Sequence, residues 1–331
     1  MVISKTPLRI SFVGGGTDFK DFYSRYEGRV ISATIDKYIY VIVKERFDDL
    51  IVLHYTYNEI VNTVDEIKHD LIREALRKVQ ITKGIEITTL ADIPSKGSGL
   101  GSSSSLTVGL LNALYNFKGV QVTAETLARE ACEIEIDILK QPIGKQDQYI
   151  AAYGGIKKIC FLPGEAVSVE GFCFNAEDRR KLRSHILLHF TNITRKADTI
   201  LGEQKANIES KINELQYISN LVPELEACFN ERDFDRLGLL LKKNWEFKKS
   251  LAQNVTNGEI NKMVELAMNS GAIGCKISGA GGGGFLMSYV PTNVQDIFRR
   301  SMSPYRELPF TLEPFGSRIM LNARQGTEEY A

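Results

Sequence analysis

Residues 94–105 read "PSKGSGLGSSSS" and contain three glycines and six serines. Before them, "GIEITTL" (84–90) has the β-branched composition of a strand. After them, apolar residues recur at the spacing of one helical face: Leu106, Leu110, Leu111, Leu114 and Phe117. The sequence therefore predicts a strand, a loop rich in glycine and serine, and a helix in direct succession.

The order of strand, loop and helix suggests a chemical use for the glycine-rich stretch. The first backbone N–H groups of a helix have no partner inside it, and the helix dipole adds positive charge there, so a phosphate fits. The stretch is not a Walker A loop, which needs GxxxxGK[ST], and Gly97, Gly99 and Gly101 lack the spacing of GxGxxG. Taken alone, it is equally consistent with a flexible loop.

Two further glycine clusters favour the phosphate interpretation. "SFVGGGTDF" (11–19) ends a predicted strand, and "KISGAGGGGF" (276–285) joins two others. A two-residue hairpin needs one or two glycines, whereas residues 279–284 contain five. Three glycine-rich loops that each leave a strand indicate backbone that must approach something closely.

Composition restricts the class of protein. The chain has 331 residues, 43% apolar and 25% charged, with 41 basic and 41 acidic side chains. A net charge of zero gives no long-range attraction to nucleic acid or to an anionic membrane, so neither partner is expected. The longest apolar runs, such as "YIYVIV" (38–43), are too short to span a bilayer. Five scattered cysteines without a CxxC pair, and a first segment unlike a signal peptide, predict a cytoplasmic location.

Hydrophobic periodicity predicts an α+β protein of two domains. Strands are expected over 8–14, 29–35, 38–45, 50–55, 84–90 and 185–190, with a strand, glycine loop and strand over 272–290. Helices are expected over 69–80, from 106, and over 123–139, 197–221, 233–253 and 258–270. The polar segment "NAEDRRKLRS" (175–184) is the candidate domain boundary.

Together the three glycine motifs resemble those of the GHMP kinases, which include galactokinase, homoserine kinase and mevalonate kinase. "PSKGSGLGSS" (94–103) is similar to their P-x-x-x-G-L-G-S-S motif, and "PLRISFVGGGTD" (7–18) and "KISGAGGGGF" are similar to their first and third motifs. The resemblance implies an ATP-binding domain like ribosomal protein S5 domain 2 over 1–175. It implies a ferredoxin-like domain over 176–331, with ATP and acceptor between the two.

The resemblance also implies roles for single residues. The ATP phosphates would contact Gly97, Ser98, Gly99, Leu100, Gly101, Ser102, Ser103 and Ser104. Ser103 would also bind Mg²⁺. The third motif, Gly279 to Gly284, would brace the nucleotide loop and contribute Gly281 and Gly282 to the acceptor site.

The segment "EIEIDILKQPIGKQDQYIAAYGG" (133–155) resembles the part of galactokinase-like proteins that carries the catalytic aspartate. Asp147 takes that position, and Glu135 matches the second Mg²⁺ ligand. Glu133 stays open as a substitute, and a solvated helix face is the alternative for both glutamates. Arg9, in an apolar strand, resembles the galactokinase arginine; paired with Asp147 it would hold that carboxylate ionised and aimed at the acceptor hydroxyl.

The acceptor is predicted from the first motif. Galactokinases carry "GEHTDY" where this chain has "GGGTDF" (14–19), so Asp18 is retained, and Gly15, Gly16 and Thr17 surround it as expected sugar contacts. "PLRISFVGGGTDFKDFY", "ATIDKYIYV" and "TRKADTIL" most resemble the D-glycero-D-manno-heptose 7-phosphate kinases, which implies transfer to an anomeric hydroxyl of a sugar phosphate.

The far end of that substrate carries a phosphate dianion, which needs cations. Thr194, Arg195 and Lys196 are the candidates, and simple exposure at a helix start is the alternative for the two cations. A kinase for an L-fucose-like or galactose-like sugar, and a sensor that binds ATP and sugar without catalysis, remain alternative functions. The expected partners are ATP and a sugar phosphate, and the expected state is a monomer or a homodimer.

Overall fold

Two antiparallel-rich sheets organise the chain. The structure, a computed structural model, describes residues 1–93, 97–194 and 197–323. These residues form the strands β1 (Val2–Val13), β2 (Gly28–Glu45), β3 (Ile51–His54), β4 (Asn58–Val61), β5 (Ile85–Ala91), β6 (Ile156–Phe161), β7 (Val167–Gly171), β8 (Ile186–Phe190), β9 (Gly274–Ile277), β10 (Phe285–Tyr289) and β11 (Arg318–Asn322). The first sheet has the order β11-β1-β2-β5-β3-β4, with β6 joining β2 and β7, and the second has the order β8-β10-β9.

Helices cover both sheets. They are α1 (Lys20–Tyr23), α2 (Asp70–Val79), α3 (Ser102–Phe117), α4 (Ala124–Cys132), α5 (Gln146–Tyr153), α6 (Ala176–Ser184), α7 (Ala197–Ala206), α8 (Ile212–Glu231), α9 (Arg236–Lys248), α10 (Gly258–Asn269) and α11 (Gln295–Ser301). Glu133–Ile138 continues α4 as a π-helical turn. No helix within the described ranges is long and apolar enough to cross a membrane.

The long hairpin of β1 and β2 sets the position of the site. The two predicted strands over 29–35 and 38–45 are one strand, because Asp36 and Lys37 bulge out where the pairing shifts from Pro7–Tyr38 to Leu8–Ile35. Its apolar face is buried and packs on α3. Two serine hydroxyls fix that helix: Ser4 donates to the Gly109 carbonyl and Ser105 donates to the Pro7 carbonyl, both at 2.8 Å.

The second sheet has its own core and faces the first motif loop. Trp245, Ile277, Leu286 and Phe298 belong to one buried apolar cluster, which covers one face of this sheet. Helices α8 and α9 pack between the two sheets, so their buried residues complete the larger core around β1 and β2. The glycine loops at the ends of β1, β5 and β9 consequently meet in one place.

The predicted α+β class is confirmed, and two features of the structure bear on the predicted domain boundary. The segment 175–184, expected as a boundary, contains α6, whose start is closed by reciprocal bonds between Asn175 and Asp178. Strand β11 lies beyond that boundary in sequence, yet it pairs with β1 in the first sheet. The division into 1–175 and 176–331 stays a prediction.

Candidate active site

A cavity of about 600 Å³ lies where the three glycine loops converge. Its wall combines residues from both halves of the chain. The lining residues are Arg9, Gly15, Gly16, Asp18, Phe19, Gly97, Ser98, Gly99, Gly101, Ser102, Ser103, Ser104, Gln141, Ile143, Gly144, Gln146, Asp147, Thr194, Asp198, Leu201, Gln204, Lys248, Gly279 and Ala280.

The glycine- and serine-rich loop delivers the start of α3 to this cavity. Gly97, Gly99 and Gly101 have φ of +75°, +70° and +78°, a backbone region that favours glycine. Gly101 is the N-cap of α3 and has no side chain to cap it. The first N–H groups of a sixteen-residue helix, with the dipole behind them, therefore border the cavity and suit an anion.

The third motif holds this loop from behind. A Cβ at Gly99 would lie 2.6 Å from the Ser278 carbonyl oxygen, and a Cβ at Gly279 would lie 2.6 Å from the Gly99 carbonyl oxygen. Real Cβ atoms do not come so close to backbone oxygens. The two loops are thus in backbone contact that glycine alone permits, which fits the bracing role implied for Gly279 to Gly284.

Arg9 and Asp147 form a bidentate ion pair beside the loop. Arg9 donates from Nε to Asp147 Oδ1 at 2.7 Å and from Nη2 to Oδ2 at 2.6 Å. Its Nη1 donates to the Gly99 carbonyl at 2.6 Å. Arg9 is 4% exposed and Asp147 is 21% exposed, so the carboxylate remains open to the cavity while the cation is buried behind it. The predicted pairing of these residues is present.

Asp18 links the first motif to the helix that carries Asp147. Its Oδ1 accepts from the Gly16 N–H and its Oδ2 accepts from the Gln146 N–H, both at 3.1 Å. The second bond caps the first turn of α5, which begins at Gln146. Burial raises the pKa of Asp18, the backbone donors oppose that shift, and neighbouring Asp147 adds to it. Asp18 therefore positions a helix and borders the cavity as well.

The two candidate glutamates have different surroundings. Glu135 is fully buried, accepting from the Ser103 hydroxyl at 2.8 Å and from the Gln148 amide at 2.5 Å. Burial raises the pKa of Glu135, and hydrogen bonds from Ser103 and other neutral donors oppose the shift. Glu133 instead is 40% exposed and pairs with Lys78 at 2.6 Å. Of the two, Glu135 is the one that the fold brings to the glycine- and serine-rich loop.

The oxygen donors at Ser103 and Glu135 suit a hard cation. Among the described residues no group of three or more His, Cys, Asp or Glu forms a metal site by itself. A hydroxyl and a buried carboxylate whose described partners are neutral are the ligand types that Mg²⁺ combines with substrate phosphates and water. The residues present therefore fit a Mg²⁺ ion shared with a phosphorylated ligand.

Five of the predicted site residues that the structure describes do not border the cavity. Glu135 is one of them, and it is joined to the lining residue Ser103 by the hydrogen bond given above. Thr17 is buried, and its hydroxyl donates to the carbonyls of Gly14 and Arg29 at 2.8 and 3.0 Å, which closes the turn of the first motif. Leu100 is fully buried, and its carbonyl accepts from the Arg9 N–H at 3.0 Å.

Gly281 and Gly282 pack on Val255, since a Cβ at Gly281 would lie 2.8 Å from the Val255 oxygen and the Gly282 N–H donates to that oxygen at 2.7 Å. Gly279 and Ala280 border the cavity in their place.

The structure describes only one of the three residues predicted to bind a distal phosphate. Thr194 borders the cavity, whereas Arg195 and Lys196 lie outside the described residues. Beyond Thr194, α7 contributes Asp198 and Gln204, and the Gln204 amide donates to the Ala280 carbonyl at 2.9 Å. These two residues were not predicted, because no motif marks them.

Lys248 is a further lining residue that the sequence analysis did not predict. It ends α9 and is 4% exposed. The signal was present in the sequence, since Lys248 continues the helical face of Leu241, Asn244 and Trp245 at spacings of three and four, all of them buried. A lysine on a buried face is costly unless it has a partner or a task.

Comparisons with known proteins identify the family of the chain. Residues 62–155 match the GHMP kinases N terminal domain, and residues 222–302 match the GHMP kinases C terminal. D-glycero-alpha-D-manno-heptose 7-phosphate kinase of Campylobacter jejuni subsp. jejuni serotype O:2 is 31% identical over 330 residues, which cover 94% of this chain and 96% of that protein. L-fucokinase/L-fucose-1-P guanylyltransferase of Bacteroides fragilis is 27% identical, covering 86% of this chain and 34% of that protein.

A solved structure gives the same result for the fold. The crystal structure of a D-glycero-D-manno-heptose 1-phosphate kinase from Bacteroides thetaiotaomicron superposes with a TM-score of 0.82 at 26% identity, covering 97% of this chain and 99% of that one. The shared fold and the sequence matches cover nearly the whole chain. The chain belongs to the GHMP kinase family and is a phosphotransferase with that family's N- and C-terminal domains.

Proposed function

We propose that the protein transfers the γ-phosphoryl group of ATP to the anomeric hydroxyl of a sugar phosphate, D-glycero-D-manno-heptose 7-phosphate, giving the 1,7-bisphosphate. The observation that carries the proposal is the position of Asp147, held by Arg9 at 2.7 and 2.6 Å and open to the cavity that the start of α3 borders. A group that accepts a proton and an anion site thus face one space, as transfer between ATP and an alcohol requires.

The proposed reaction needs no reactant besides ATP and the sugar phosphate. The acceptor oxygen forms a bond to the γ-phosphorus while the bond from that phosphorus to the bridging oxygen breaks, and ADP keeps the electron pair. The hydroxyl proton passes to Asp147, which later releases it to water. Because the transition state is loose, the remaining task of the protein is to position both substrates and to neutralise charge.

In this proposal Ser103 and Glu135 hold Mg²⁺. When bound, the ion neutralises charge on the nucleotide phosphates. Gln148 donates to Glu135 at 2.5 Å and follows Asp147 in α5, so the metal ligand and the proton acceptor are fixed by one short helix. Glu133 lies on the surface and has no part in the proposal.

The matched pair Glu135→Gln and Glu133→Gln tests the metal site. Loss of a group that binds or orients a metal typically weakens metal affinity by about 10–100-fold, so Glu135→Gln should raise the Mg²⁺ concentration for half-maximal rate by about that factor. Glu133→Gln removes only a surface ion pair and should shift it less than about twofold. Mg²⁺ titrations of the initial rate measure both values. Equal shifts in the two variants would exclude Glu135 from the metal site.

The choice of a sugar phosphate rests on the first motif and on the relatives. Gly15, Gly16 and Asp18 border the cavity on the side of Asp147, which suits sugar hydroxyls. Thr194 borders the same cavity at the entry to α7, in position to donate to a phosphate. The Campylobacter jejuni relative acts on a heptose 7-phosphate by its name, which supports the same acceptor here.

Arg195→Ala tests whether the substrate carries a distal phosphate. A charge-assisted hydrogen bond contributes on the order of 1.5–3 kcal/mol, so the KM for the heptose 7-phosphate should rise roughly tenfold to hundredfold. The KM for ATP should stay nearly unchanged. The unphosphorylated heptose is the control. It should be a poor substrate, and its KM and kcat should be the same for Arg195→Ala and the unmodified protein. If it were the better substrate for the unmodified protein, the sugar-phosphate assignment would fail and a plain sugar kinase would remain.

An L-fucose kinase is the second candidate, favoured by the match to the Bacteroides fragilis protein. A screen of ADP release over heptose 7-phosphate, L-fucose and galactose separates the two, and we expect the highest kcat/KM with the first. A non-catalytic sensor would release no ADP with any sugar. All five cysteines are free thiols, which supports a reducing compartment such as the cytoplasm.

A further inference from the structure

Two lysines are buried where the third motif meets the rest of the molecule. The Lys276 ammonium, on β9, donates to the carbonyls of Ser11 and Phe12 at 3.0 and 2.9 Å. The Lys248 ammonium, at the end of α9, donates to the carbonyl of Gly279 and to that of Ile277 at 3.5 Å. Each cation is 4% exposed or less. Both ammonium groups donate to backbone carbonyl oxygens, but the surroundings of the two lysines differ.

Only Lys248 of this pair borders the cavity. Lys276 is absent from its wall, whereas Lys248 lies there with Arg9, Asp18 and Asp147. An ammonium group has three N–H donors. Two of those on Lys248 have carbonyl partners, and the described residues supply no third one. One donor is therefore left for a ligand in the cavity.

The charges on the wall show which ligand this donor suits. Arg9 and Lys248 are the cations among the described lining residues. Arg9 forms an ion pair with Asp147 through two hydrogen bonds, and it also donates to the Gly99 carbonyl. Lys248 has neutral carbonyl partners, so its charge is the less compensated of the two. A buried ammonium without a carboxylate partner favours an anion.

The position of Lys248 places that anion between the substrates. Its bond to the Gly279 carbonyl puts the ammonium next to the contact of Gly279 with Gly99, at the back of the nucleotide loop. Asp18 and Asp147, on the acceptor side, are near enough to oppose the lowering of its pKa. The ammonium thus borders the cavity close to the contact between the two glycine loops and within electrostatic reach of Asp147, beside the path of the transferred group in the proposed reaction.

We propose that Lys248 is a further catalytic residue, whose free N–H donates to an oxygen of the phosphoryl group during its transfer. This inference rests on the proposed site around Asp147. Lys248 keeps its protons throughout: the phosphorus exchanges its bond to ADP for a bond to the acceptor oxygen, and the acceptor proton goes to Asp147. The lysine stabilises the charge on the equatorial oxygens, which is greatest in the transition state.

Lys248→Met tests the proposal with a side chain of similar length. Removing one donor aimed at transition-state charge typically lowers kcat by about 10²–10³-fold, and this is the expected loss. The KM values for ATP and for the sugar should change far less, because the donor acts mainly on the transferred group. A normal kcat with a raised KM for ATP would overturn the proposal and leave Lys248 as a loop clamp.

Two control lysines separate catalysis from stability. Lys276→Met removes an equally buried ammonium with two carbonyl partners and should lower the melting temperature while kcat stays within a few-fold. Lys249→Met removes the adjacent, partly exposed charge, paired with Glu246 at 2.7 Å, and should change neither property measurably. If Lys276→Met lost as much kcat as Lys248→Met, loop anchoring would explain both and the catalytic role would be wrong.

The pH profile gives a readout that a structural role would not move. Burial, and then the nearby Arg9, lower the pKa of Lys248 to about 8, against the pull of Asp18 and Asp147; Lys276 is the remaining titratable group beside it. The ammonium is lost as the pH rises through that value, so kcat/KM of the unmodified protein should fall above about pH 8. The residual activity of Lys248→Met should lack that fall. If the fall at high pH persisted in Lys248→Met, another group would be responsible for it.

Asp147→Asn, measured in parallel, distinguishes the two proposals. If Asp147→Asn is inactive and Lys248→Met is active, the site stands and the role of Lys248 is wrong. If Asp147→Asn retains normal turnover, the proposed site itself fails, and the role of Lys248 fails with it.

Discussion

Asp147→Asn should lower kcat by roughly 10²–10⁴-fold, the usual contribution of a positioned proton acceptor. The amide cannot take the hydroxyl proton, and it also presents an NH₂ group toward Arg9, whose Nε and Nη2 now donate at 2.7 and 2.6 Å. Leaving a donor of the buried Arg9 unmatched should cost about 1–3 kcal/mol of stability. Steady-state kinetics and urea unfolding measure the two effects separately.

Affinity for the nucleotide is the control for that variant. In the proposed site the ATP phosphates lie at the start of α3, away from Asp147, so calorimetric titration with a non-hydrolysable ATP analogue should give nearly the affinity of the unmodified protein. A folded Asp147→Asn protein with near-normal turnover would remove Asp147 from the mechanism. Loss of nucleotide affinity together with kcat would instead mean that the ion pair with Arg9 mainly shapes the loop.

Gly99→Val should reduce ATP affinity by about 100-fold or more. Its φ of +70° is a strained conformation for valine, and such strain costs on the order of 1–3 kcal/mol. In addition, the new Cβ would lie 2.6 Å from the Ser278 carbonyl oxygen, so the nucleotide loop must separate from the third motif. A hundredfold loss corresponds to about 2.7 kcal/mol, which the displaced loop would have to recover to return to its binding conformation. The same calorimetric titration measures the loss.

Gly119→Val is the matched control for backbone strain. Gly119 has φ of +77°, close to that of Gly99, but nothing lies within 4 Å of its Cβ position. Its variant should lose some stability and keep its nucleotide affinity. If Gly99→Val bound the analogue normally, the glycine- and serine-rich stretch 94–105 would be a flexible loop that does not touch the phosphates. If both variants lost affinity equally, strain and not contact would be the cause.

The sequence was sufficient for the elements whose signals are local. Alternating and helical spacing predicted β5 and α10 close to their observed bounds. Helix α3 was predicted from residue 106, but it begins one turn earlier at Ser102, because four consecutive serines show no apolar periodicity. It did not predict β11, because the pairing of residues 318–322 with β1 depends on a partner more than 300 residues away. It also divided β2 at Asp36 and Lys37, since two polar residues resemble a turn and the bulge that accommodates them is a property of the pair.

The same distinction holds for the site. Gly97, Gly99, Asp18, Arg9 and Asp147 were predicted because they belong to motifs, and all five border the cavity. Motif membership also misplaced Thr17, whose hydroxyl closes a turn instead of facing the cavity. Lys248 carries no motif, and its importance depends on where α9 ends relative to the third glycine loop. A catalytic role that depends on packing between distant elements cannot be predicted from any short stretch of sequence.

The most direct test of the central claim is the ³¹P NMR spectrum of the product formed from ATP, Mg²⁺ and D-glycero-D-manno-heptose 7-phosphate. The account predicts ADP in equal amount to a new phosphate resonance coupled to the anomeric proton, with the 7-phosphate resonance retained. A new phosphate on another carbon, or no product from this sugar phosphate while an unphosphorylated sugar is converted, would contradict it.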